Sequence, residues 1–221
     1  MSGCRIALMA KAPVPGLAKT RLAGALGPEG AAALAGRLLA HAVAQAVAAE
    51  LGPVTLWAAP DASHPAFLQA REQQGVELAV QAEGDLGTRM TRVFEAAFAQ
   101  APTPTLLIGT DTPGLDAALL RQAASALESH AIVFVPALDG GYALVGLCEA
   151  TPALLQALFE GMAWSTPQVM AQTRRRLASA GFAHAELPPV ADIDEPSDLV
   201  HLPASWGAPA KQLHPAEELA P

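Results

Sequence analysis

Hydrophobic positions along the chain follow two alternating patterns. Short, continuous apolar runs predict buried strands, and longer stretches with apolar residues at helical spacing predict helices. The predicted strands cover residues 4–10, 53–59, 76–81, 105–109, 131–136, 142–147 and 183–187. The predicted helices cover residues 29–50, 64–74, 87–100, 116–129, 152–160 and 166–180. Continuous apolar strands separated by helices favour an α/β fold with a mostly parallel central sheet and helices on both faces.

The same pattern predicts where a ligand binds. In doubly wound α/β folds, ligands lie beyond the carboxyl ends of the strands. Three unusual segments follow predicted strands at that edge: a basic loop at 11–21, Asp111, and Asp139 with two glycines. We expect one domain over residues 1–202 and a loose tail, rich in alanine and proline, over residues 203–221.

Composition narrows the classes of function. The chain has 221 residues, a formal net charge of -8 and only 13 lysines and arginines, so a nucleic-acid partner is not expected. The chain shows neither an apolar run of about 18 residues nor a signal-peptide layout, which predicts a soluble, cytoplasmic protein without a membrane partner. Cys4 and Cys148 each lie in an apolar run and are interpreted as buried free thiols.

Basic residues concentrate after the first predicted strand. Lys11, Lys19 and Arg21 lie within one short loop, and two lysines with an arginine at one strand end suit the phosphates of a nucleotide. Gly16 lets the backbone approach a ligand closely, and Thr20 can bond a phosphate oxygen or cap the following turn. The P-loop pattern is excluded because neither of its glycines is present. A solvated loop that binds nothing is the alternative.

Two acidic segments predict a site for Mg²⁺ or Mn²⁺. Asp111 directly follows an apolar strand, where a carboxylate can ligate a cation that bridges ligand phosphates. A turn or helix-capping aspartate is the alternative. In the segment DIDEPSDL, only one of Asp192 and Asp194 is expected to reach a given site; Asp194 is the predicted second metal ligand and Asp192 the reserve. Asp198 falls in the first turn of a predicted helix and is interpreted as structural.

The loop EGDLGTRM, between a predicted strand and a helix, is a candidate for the nucleoside part of the ligand. Gly84 and Gly87 leave room for a flat base or ribose. Asp85 can accept a hydrogen bond from either. We therefore predict that these three residues bind the nucleotide.

A second loop is a candidate for the acceptor. Asp139, Gly140 and Gly141 precede a predicted strand, and a hairpin-type turn explains them without any function. Their position opposite the phosphate loop equally suits binding of an acceptor. Trp164 either packs in the core or forms a wall of the acceptor pocket.

Six segments between residues 11 and 199 together resemble a known bacterial family. In chain order they are KAPVPGLAKTRL, QAEGDLGTRM, IGTDTPGL, PALDGGYALVGL, WST and DIDEPSDL. The series resembles the small transferases named for association with radical-SAM and selenium-domain proteins, some of which are described as arsenosugar-biosynthesis glycosyltransferases. It is similar more distantly to phospholactate guanylyltransferase and molybdenum-cofactor guanylyltransferase.

The resemblance implies a single-domain GT-A-like fold, which is the fold of nucleotide-diphospho-sugar transferases. It also implies phosphate contacts from four residues of the basic loop, Lys11, Gly16, Lys19 and Arg21. It places Asp111 where GT-A enzymes keep an acidic metal-binding motif. That motif usually has two aspartates flanking one residue, whereas this chain has a single carboxylate there, as nucleotidyltransferases do.

Two transfer reactions suit these residues. In glycosyl transfer from a nucleotide-sugar to a small acceptor, Asp139 orients or deprotonates the acceptor hydroxyl, while Lys19 and the metal stabilise the departing nucleoside diphosphate. In nucleotidyl transfer, a nucleoside triphosphate loses pyrophosphate to a phosphorylated substrate. The resemblance favours the first, so we predict a metal-dependent glycosyltransferase. A non-catalytic nucleotide-binding module is the third possibility.

Overall fold

The predicted strands and helices are all found in the computed structural model, which describes residues 3–207. The strands are β1 (Arg5–Lys11), β2 (Val54–Ala59), β3 (Glu77–Val80), β4 (Thr105–Ile108), β5 (Ile132–Pro136), β6 (Tyr142–Leu147) and β7 (Ala185–Glu186). The helices are α1 (Ala23–Ala48), α2 (Pro65–Gln74), α3 (Leu86–Gln100), α4 (Ala117–Ala126), α5 (Pro152–Phe159) and α6 (Val169–Ala180). Short 3₁₀ turns occur at Thr20–Leu22, Pro196–His201 and Ala204–Trp206.

The strands of the described residues form one sheet in the order β3-β2-β1-β4-β6-β5-β7. Strand β6 pairs antiparallel with β4 and β5, and every other pairing is parallel. The predicted mostly parallel α/β fold is therefore confirmed. The chain moves from β1 to one edge of the sheet and resumes at β4 on the other side of β1. Such a switch point opens a crevice beyond the carboxyl ends of the two strands.

Apolar side chains cover both faces of the sheet. On one face, α2 and α4 contribute the fully buried Phe67 and Leu120 to a cluster with the strands. On the other face, α3 and α6 contribute the fully buried Phe94 and Leu177. Because both faces are covered, the strands β4, β5 and β6 are buried at almost every position and do not alternate between buried and exposed residues.

Helix α1 begins earlier than the predicted start at residue 29, because a kinked turn precedes its main part. Gly27 has a φ of 72°, and Pro28 follows it. Glycine tolerates a positive φ, and proline is accepted in a first helical turn. With the turn before it, α1 is long and apolar enough by length and composition to cross a membrane, although the predicted helix at 29–50 was not expected to be. In the structure, however, α1 places Leu38 and Val43 in the core.

A third apolar cluster fastens the C-terminal segment to the start of α1. Ile193 is fully buried in this cluster with Leu22 and Leu26. Its backbone N–H donates a hydrogen bond to the carbonyl oxygen of Asp111, with a distance of 2.9 Å between nitrogen and oxygen. This cluster therefore holds the C-terminal acidic segment beside the end of β4.

The predicted tail begins with a turn that contacts α1. The guanidinium carbon of Arg37 lies 4.4 Å from the centroid of the Trp206 ring, which is a cation–π contact. The rest of the predicted tail, residues 208–221, lies outside the described residues.

The two cysteines are free, as predicted. Cys4 is buried and Cys148 is half-buried. Burial raises the pKa of the Cys4 thiol to about 12 and raises the pKa of Cys148 above its usual value. Neither thiol therefore has the lowered pKa of a reactive cysteine.

Candidate active site at the carboxyl edge of the sheet

Lys19 lies at the centre of the candidate site. It ends the loop after β1 with a left-handed backbone (φ 48°, ψ 44°). Its side chain is only 7% exposed, and its ammonium nitrogen lies 2.6 Å from Oδ1 of Asp111 and 2.7 Å from Oδ1 of Asp194. A left-handed backbone strains a non-glycine residue by roughly 1–2 kcal/mol. Strain of this kind persists only where the surroundings hold it, and it is common at functional sites.

The two carboxylates come from distant parts of the chain. Asp111 follows β4, and Asp194 lies in the segment after β7. The hydrogen bond from Ile193 to the carbonyl of Asp111 joins the two segments. Both carboxylates are about half exposed, so each faces Lys19 and the solvent at once. The structure thus brings the two predicted metal ligands together; that they bind a metal stays a prediction.

The charge of Lys19 depends on these two carboxylates. Burial by itself lowers the pKa of Lys19, but the attraction of Asp111 and Asp194 and their hydrogen bonds outweigh burial, so the pKa is raised. The ammonium therefore stays charged at neutral pH. A buried charge is stable only when it is paired in this way.

A cleft of about 240 Å³ lies beside this cluster. Its polar lining consists of one arginine, five carboxylates and one histidine. They are Arg21, Asp139, Asp192, Asp194, Glu195, Asp198 and His201. The exposed Leu138 also lines the cleft. Leu138 falls within the segment PALDGGYALVGL but was not a predicted site residue, and His201 lies outside all six segments. Only the fold shows that these two residues belong to this region.

Asp192 and Asp194 both line the cleft, which corrects the prediction that only one of them reaches a given site. Ile193, between them, is fully buried. The two aspartates therefore point to the same side, as residues i and i+2 of an extended segment do. Asp198 is structural, as predicted: its Oδ2 accepts hydrogen bonds from the N–H groups of Asp194 (3.0 Å) and Glu195 (2.7 Å).

Asp192 is the most perturbed carboxyl group of the cleft. Burial, followed by repulsion from Asp139 and then from Asp194 and Asp198, raises its pKa from 3.8 to about 6. Because the folded protein binds the proton more tightly than the unfolded chain does, this group favours folding below pH 4. That contribution is lost as the pH rises through about 6.

Asp192→Asn is therefore expected to stabilise the protein at pH 7.5. The pKa shift corresponds to about 3 kcal/mol at most, and screening at this half-exposed group reduces the expected gain to about 1 kcal/mol. At pH 4 the gain should vanish. Urea unfolding of the wild type and the variant at both pH values, with a chelator present, measures the difference in their free energies of unfolding. Asp116→Asn, the same change at an exposed aspartate outside the cleft, is the control. An equal effect of Asp192→Asn at both pH values would contradict the prediction.

The loop that carries Asp139 is held in a defined shape. Oδ1 of Asp139 accepts a hydrogen bond from the N–H of Gly141 at 2.7 Å. Gly140 has a φ of 93°, and a Cβ built on it would lie 2.2 Å from the carbonyl oxygen of Pro167. Its own carbonyl accepts a hydrogen bond from the N–H of Met170. Gly140 and Gly141 thus shape the turn, and Asp139 presents its carboxylate to the cleft; acceptor binding by these three residues stays a prediction.

The remaining residues of the predicted phosphate loop are exposed at the same edge. Lys11 is the last residue of β1, and Thr20 and Arg21 begin the 3₁₀ turn. Gly16 has a φ of 77°, and a Cβ there would meet nothing within 4 Å. All four are therefore accessible to a ligand, and their contact with phosphates stays a prediction.

The loop before α3 is only partly as predicted. Asp85 is the N-cap of α3, because its Oδ1 accepts a hydrogen bond from the N–H of Thr88 at 2.8 Å. Gly84 and Asp85 are exposed, so they remain candidates for nucleotide contact. Gly87 is buried, and a Cβ there would lie 2.4 Å from the carbonyl oxygen of Phe159 and 2.9 Å from Nε1 of Trp164. The space beside Gly87 is thus filled by protein, which corrects its predicted role in leaving room for the base.

Trp164 packs among aromatic side chains. The centroid of its ring lies 6.4 Å from that of Tyr142 and 6.5 Å from that of Phe159. Nε1 of Trp164 and the hydroxyl of Tyr142 are buried without a hydrogen-bond partner among the described residues. Burial also raises the pKa of Tyr142. The packing interpretation of Trp164 therefore agrees with the structure, and its part in an acceptor pocket stays a prediction.

Comparison with known proteins identifies the family of this chain and supports its fold. Residues 42–166 match the family DUF2064, described as an uncharacterized protein conserved in bacteria. The chain belongs to the DUF2064 family. The matched segment of this DUF2064 protein contains Asp111 and Asp139, whereas Lys19 and Asp194 lie on either side of it. No curated protein matches the chain.

Solved structures share the fold of this DUF2064 protein. A protein of Desulfovibrio desulfuricans G20, provisionally named a nucleotide-diphospho-sugar transferase, is 28% identical with a TM-score of 0.78, over 88% of this chain and 84% of that one. The 4-diphosphocytidyl-2C-methyl-D-erythritol synthase of Anaerococcus prevotii DSM 20548 is 10% identical with a TM-score of 0.61, over 93% and 98%. CMP:2-keto-3-deoxy-manno-octonic acid synthetase, solved with CTP, is 12% identical with a TM-score of 0.54, over 99% and 100%.

These likenesses confirm the predicted nucleotide-diphospho-sugar transferase-like fold and agree with the predicted class of enzyme, a transferase. At 10–12% identity, the two synthetases show the fold alone. The narrower resemblance to radical-SAM-associated and arsenosugar-biosynthesis proteins stays a prediction.

Proposed function

We propose that this DUF2064 protein is a metal-dependent glycosyltransferase that moves a sugar from a nucleotide-diphospho-sugar to a small-molecule acceptor. The observation that supports this most is the contact of Lys19 with Asp111 and Asp194 at the switch point of the sheet. The ammonium of Lys19 and the two carboxylates lie beside an open cleft, at the edge of the sheet where a doubly wound fold binds its ligands. The provisional name of the relative from Desulfovibrio desulfuricans supports the same donor class.

Asp111 and Asp194 suit a divalent cation. Their Oδ1 atoms are both within hydrogen-bond distance of one nitrogen atom, so a single cation can bridge them. The described residues contain no group of three or more typical metal ligands. Magnesium nevertheless often binds through one or two carboxylates, with phosphate and water oxygens completing its shell. A manganese complex is also known for Rv0371c of Mycobacterium tuberculosis H37Rv, which shares the fold at 18% identity and a TM-score of 0.53. Mg²⁺ or Mn²⁺ bound there would neutralise charge on the diphosphate of the donor.

Other residues of the site would bind the donor and assist the transfer of the sugar. Lys11, Lys19 and Arg21 bind the phosphates, and Gly84 and Asp85 contact the nucleoside. Asp139, whose carboxylate lines the cleft, accepts the proton of the acceptor hydroxyl as its oxygen attacks the anomeric carbon. The bond from that carbon to the phosphate oxygen breaks, and the nucleoside diphosphate leaves with its charge balanced by Lys19 and Arg21.

Nucleotidyl transfer is the second candidate, and a specific observation favours it. The usual GT-A motif has two aspartates after the strand, but here Asp111 is the only carboxylate directly after β4. The second carboxylate, Asp194, comes from the C-terminal segment. The same site would then hold a nucleoside triphosphate, and a phosphate oxygen of the second substrate would attack its α-phosphorus and release pyrophosphate.

Product analysis tests the two proposals. The protein is incubated with Mn²⁺ and a panel of nucleotide-sugars, and separately with nucleoside triphosphates and sugar 1-phosphates. Water acts as a slow acceptor, so a glycosyltransferase should release nucleoside diphosphate and free sugar from one donor. Release of pyrophosphate with formation of a nucleotide-sugar would instead establish nucleotidyl transfer. If no product forms although a nucleotide raises the melting temperature, both proposals fail and the non-catalytic nucleotide-binding alternative stands. If no nucleotide raises the melting temperature either, that alternative fails with them.

A further inference from the structure

Lys19 pairs with both carboxylates that a bridging metal would bind. Its ammonium nitrogen contacts Oδ1 of Asp111 at 2.6 Å and Oδ1 of Asp194 at 2.7 Å. Building on the proposed metal site, we infer that Lys19 and the divalent cation compete for these two carboxylates. The cation then binds well only when nucleotide phosphates draw Lys19 away from them.

The positions of the two Oδ1 atoms favour this competition. Magnesium binds carboxylate oxygens at about 2.1 Å. Asp111 and Asp194 would hold such a cation through the same carboxylates that now hold the ammonium of Lys19, so the two cations would be too close together to bind at once. Lys19 can leave without a change of fold, because its charge is carried on a flexible four-carbon stem.

Charge balance points the same way. Two carboxylates around one ammonium carry a net charge of about −1, and a dication added beside that ammonium would bring like charges into close contact. Once displaced, Lys19 needs a new anionic partner, since only 7% of its side chain is exposed. The diphosphate of a nucleotide supplies that partner, and Arg21, which lines the cleft together with Asp194, can share it.

Binding of metal and nucleotide is therefore cooperative. By linkage, the factor by which nucleotide tightens metal binding equals the factor by which metal tightens nucleotide binding. The free protein thus holds its cation weakly, although both carboxylates are already in place. Until the donor binds, the ammonium of Lys19 pairs with the two carboxylates in place of the metal.

Metal binding to the protein alone tests this inference. Free Mn²⁺ is measured by electron paramagnetic resonance during titration of the wild type and of Lys19→Met, without nucleotide. Removing the competitor is expected to tighten Mn²⁺ binding at least tenfold. Arg21→Met removes a neighbouring charge that does not bridge the carboxylates, and it should tighten binding by less than about threefold, since partly exposed charges are well screened. Adding Asp111→Asn to Lys19→Met should abolish the gain.

Three results would overturn the inference. One is equal Mn²⁺ affinity of the wild type and Lys19→Met, which leaves the proposed enzyme intact if donor turnover still requires metal. The second is an equal gain in Arg21→Met, which would reduce the effect to general electrostatics. The third is no Mn²⁺ binding by either protein, which also removes the proposed metal site. If Lys19→Met does not fold, Lys19→Gln keeps hydrogen-bond donors to both carboxylates and gives the same comparison.

Discussion

Asp111→Asn is expected to lower the turnover of the nucleotide-sugar donor by about 10²–10³-fold, the usual loss when one group that stabilises transition-state charge is removed. Asparagine keeps the shape of aspartate but lacks the negative charge that attracts a divalent cation. The variant also leaves the ammonium of Lys19 with one carboxylate partner in place of two. Release of nucleoside diphosphate at saturating donor, over a range of Mn²⁺ concentrations, measures the effect.

Asp116→Asn is the matched control for this variant. Asp116 lies five positions further along, where its side chain caps α4 by accepting a hydrogen bond from the N–H of Leu119 at 2.8 Å. Asparagine caps helices about as well as aspartate, so turnover should stay near that of the wild type. If Asp111→Asn also kept turnover within about threefold, the residue would have no essential role in catalysis, since a catalytic charge contributes far more than this.

Gly140→Ala is expected to destabilise the protein by about 3 kcal/mol, which combines a strained φ with a steric clash. The residue has a φ of 93°, and its new Cβ would lie 2.2 Å from the carbonyl oxygen of Pro167. Because that neighbour is backbone, it cannot turn away as a side chain can. In a domain of this size, the loss corresponds to a melting temperature lower by roughly 6–12 °C.

The control for Gly140→Ala is Gly181→Ala. Gly181 also has a positive φ, 77°, but a Cβ there would meet nothing within 4 Å. The free energy of unfolding of Gly181→Ala should fall by only about 1 kcal/mol, which is the part due to the positive φ alone. Thermal unfolding of both variants by circular dichroism separates the clash from the strain. Similar losses in the two variants would show that the contact with Pro167 is not tight.

Most elements were predictable because their signals are local. Strand β6 was predicted and found over the same residues, 142–147, since its apolar run follows a turn with two glycines. The early start of α1 was missed, because Gly27 and Pro28 suggest the boundary of a helix but here form a kink within it. The antiparallel direction of β6 was not predicted, since a continuous apolar run has no direction.

For the residues of the candidate site too, some properties were predictable from the sequence and others only from the structure. The sequence could mark Gly87 as a position without a side chain, but not whether a ligand or Phe159 fills the space beside it. It could place acidic residues after strands, but it did not predict that Leu138 and His201 line the cleft. Only one of Asp192 and Asp194 was expected to reach the site, whereas burial of Ile193 shows that both aspartates lie on the same side of the segment.

By itself, the sequence determined the alternation of strands and helices, the basic loop after β1 and the acidic residues that follow later strands. These depend on apolar periodicity and on residue type at strand ends, which are properties of short segments. Only the tertiary structure decided that Lys19 lies between Asp111 and Asp194. Lys19 and Asp194 are 175 positions apart in the chain. Contact across that distance depends on which strands become neighbours and on where Ile193 packs, and both are set by the packing of the whole domain.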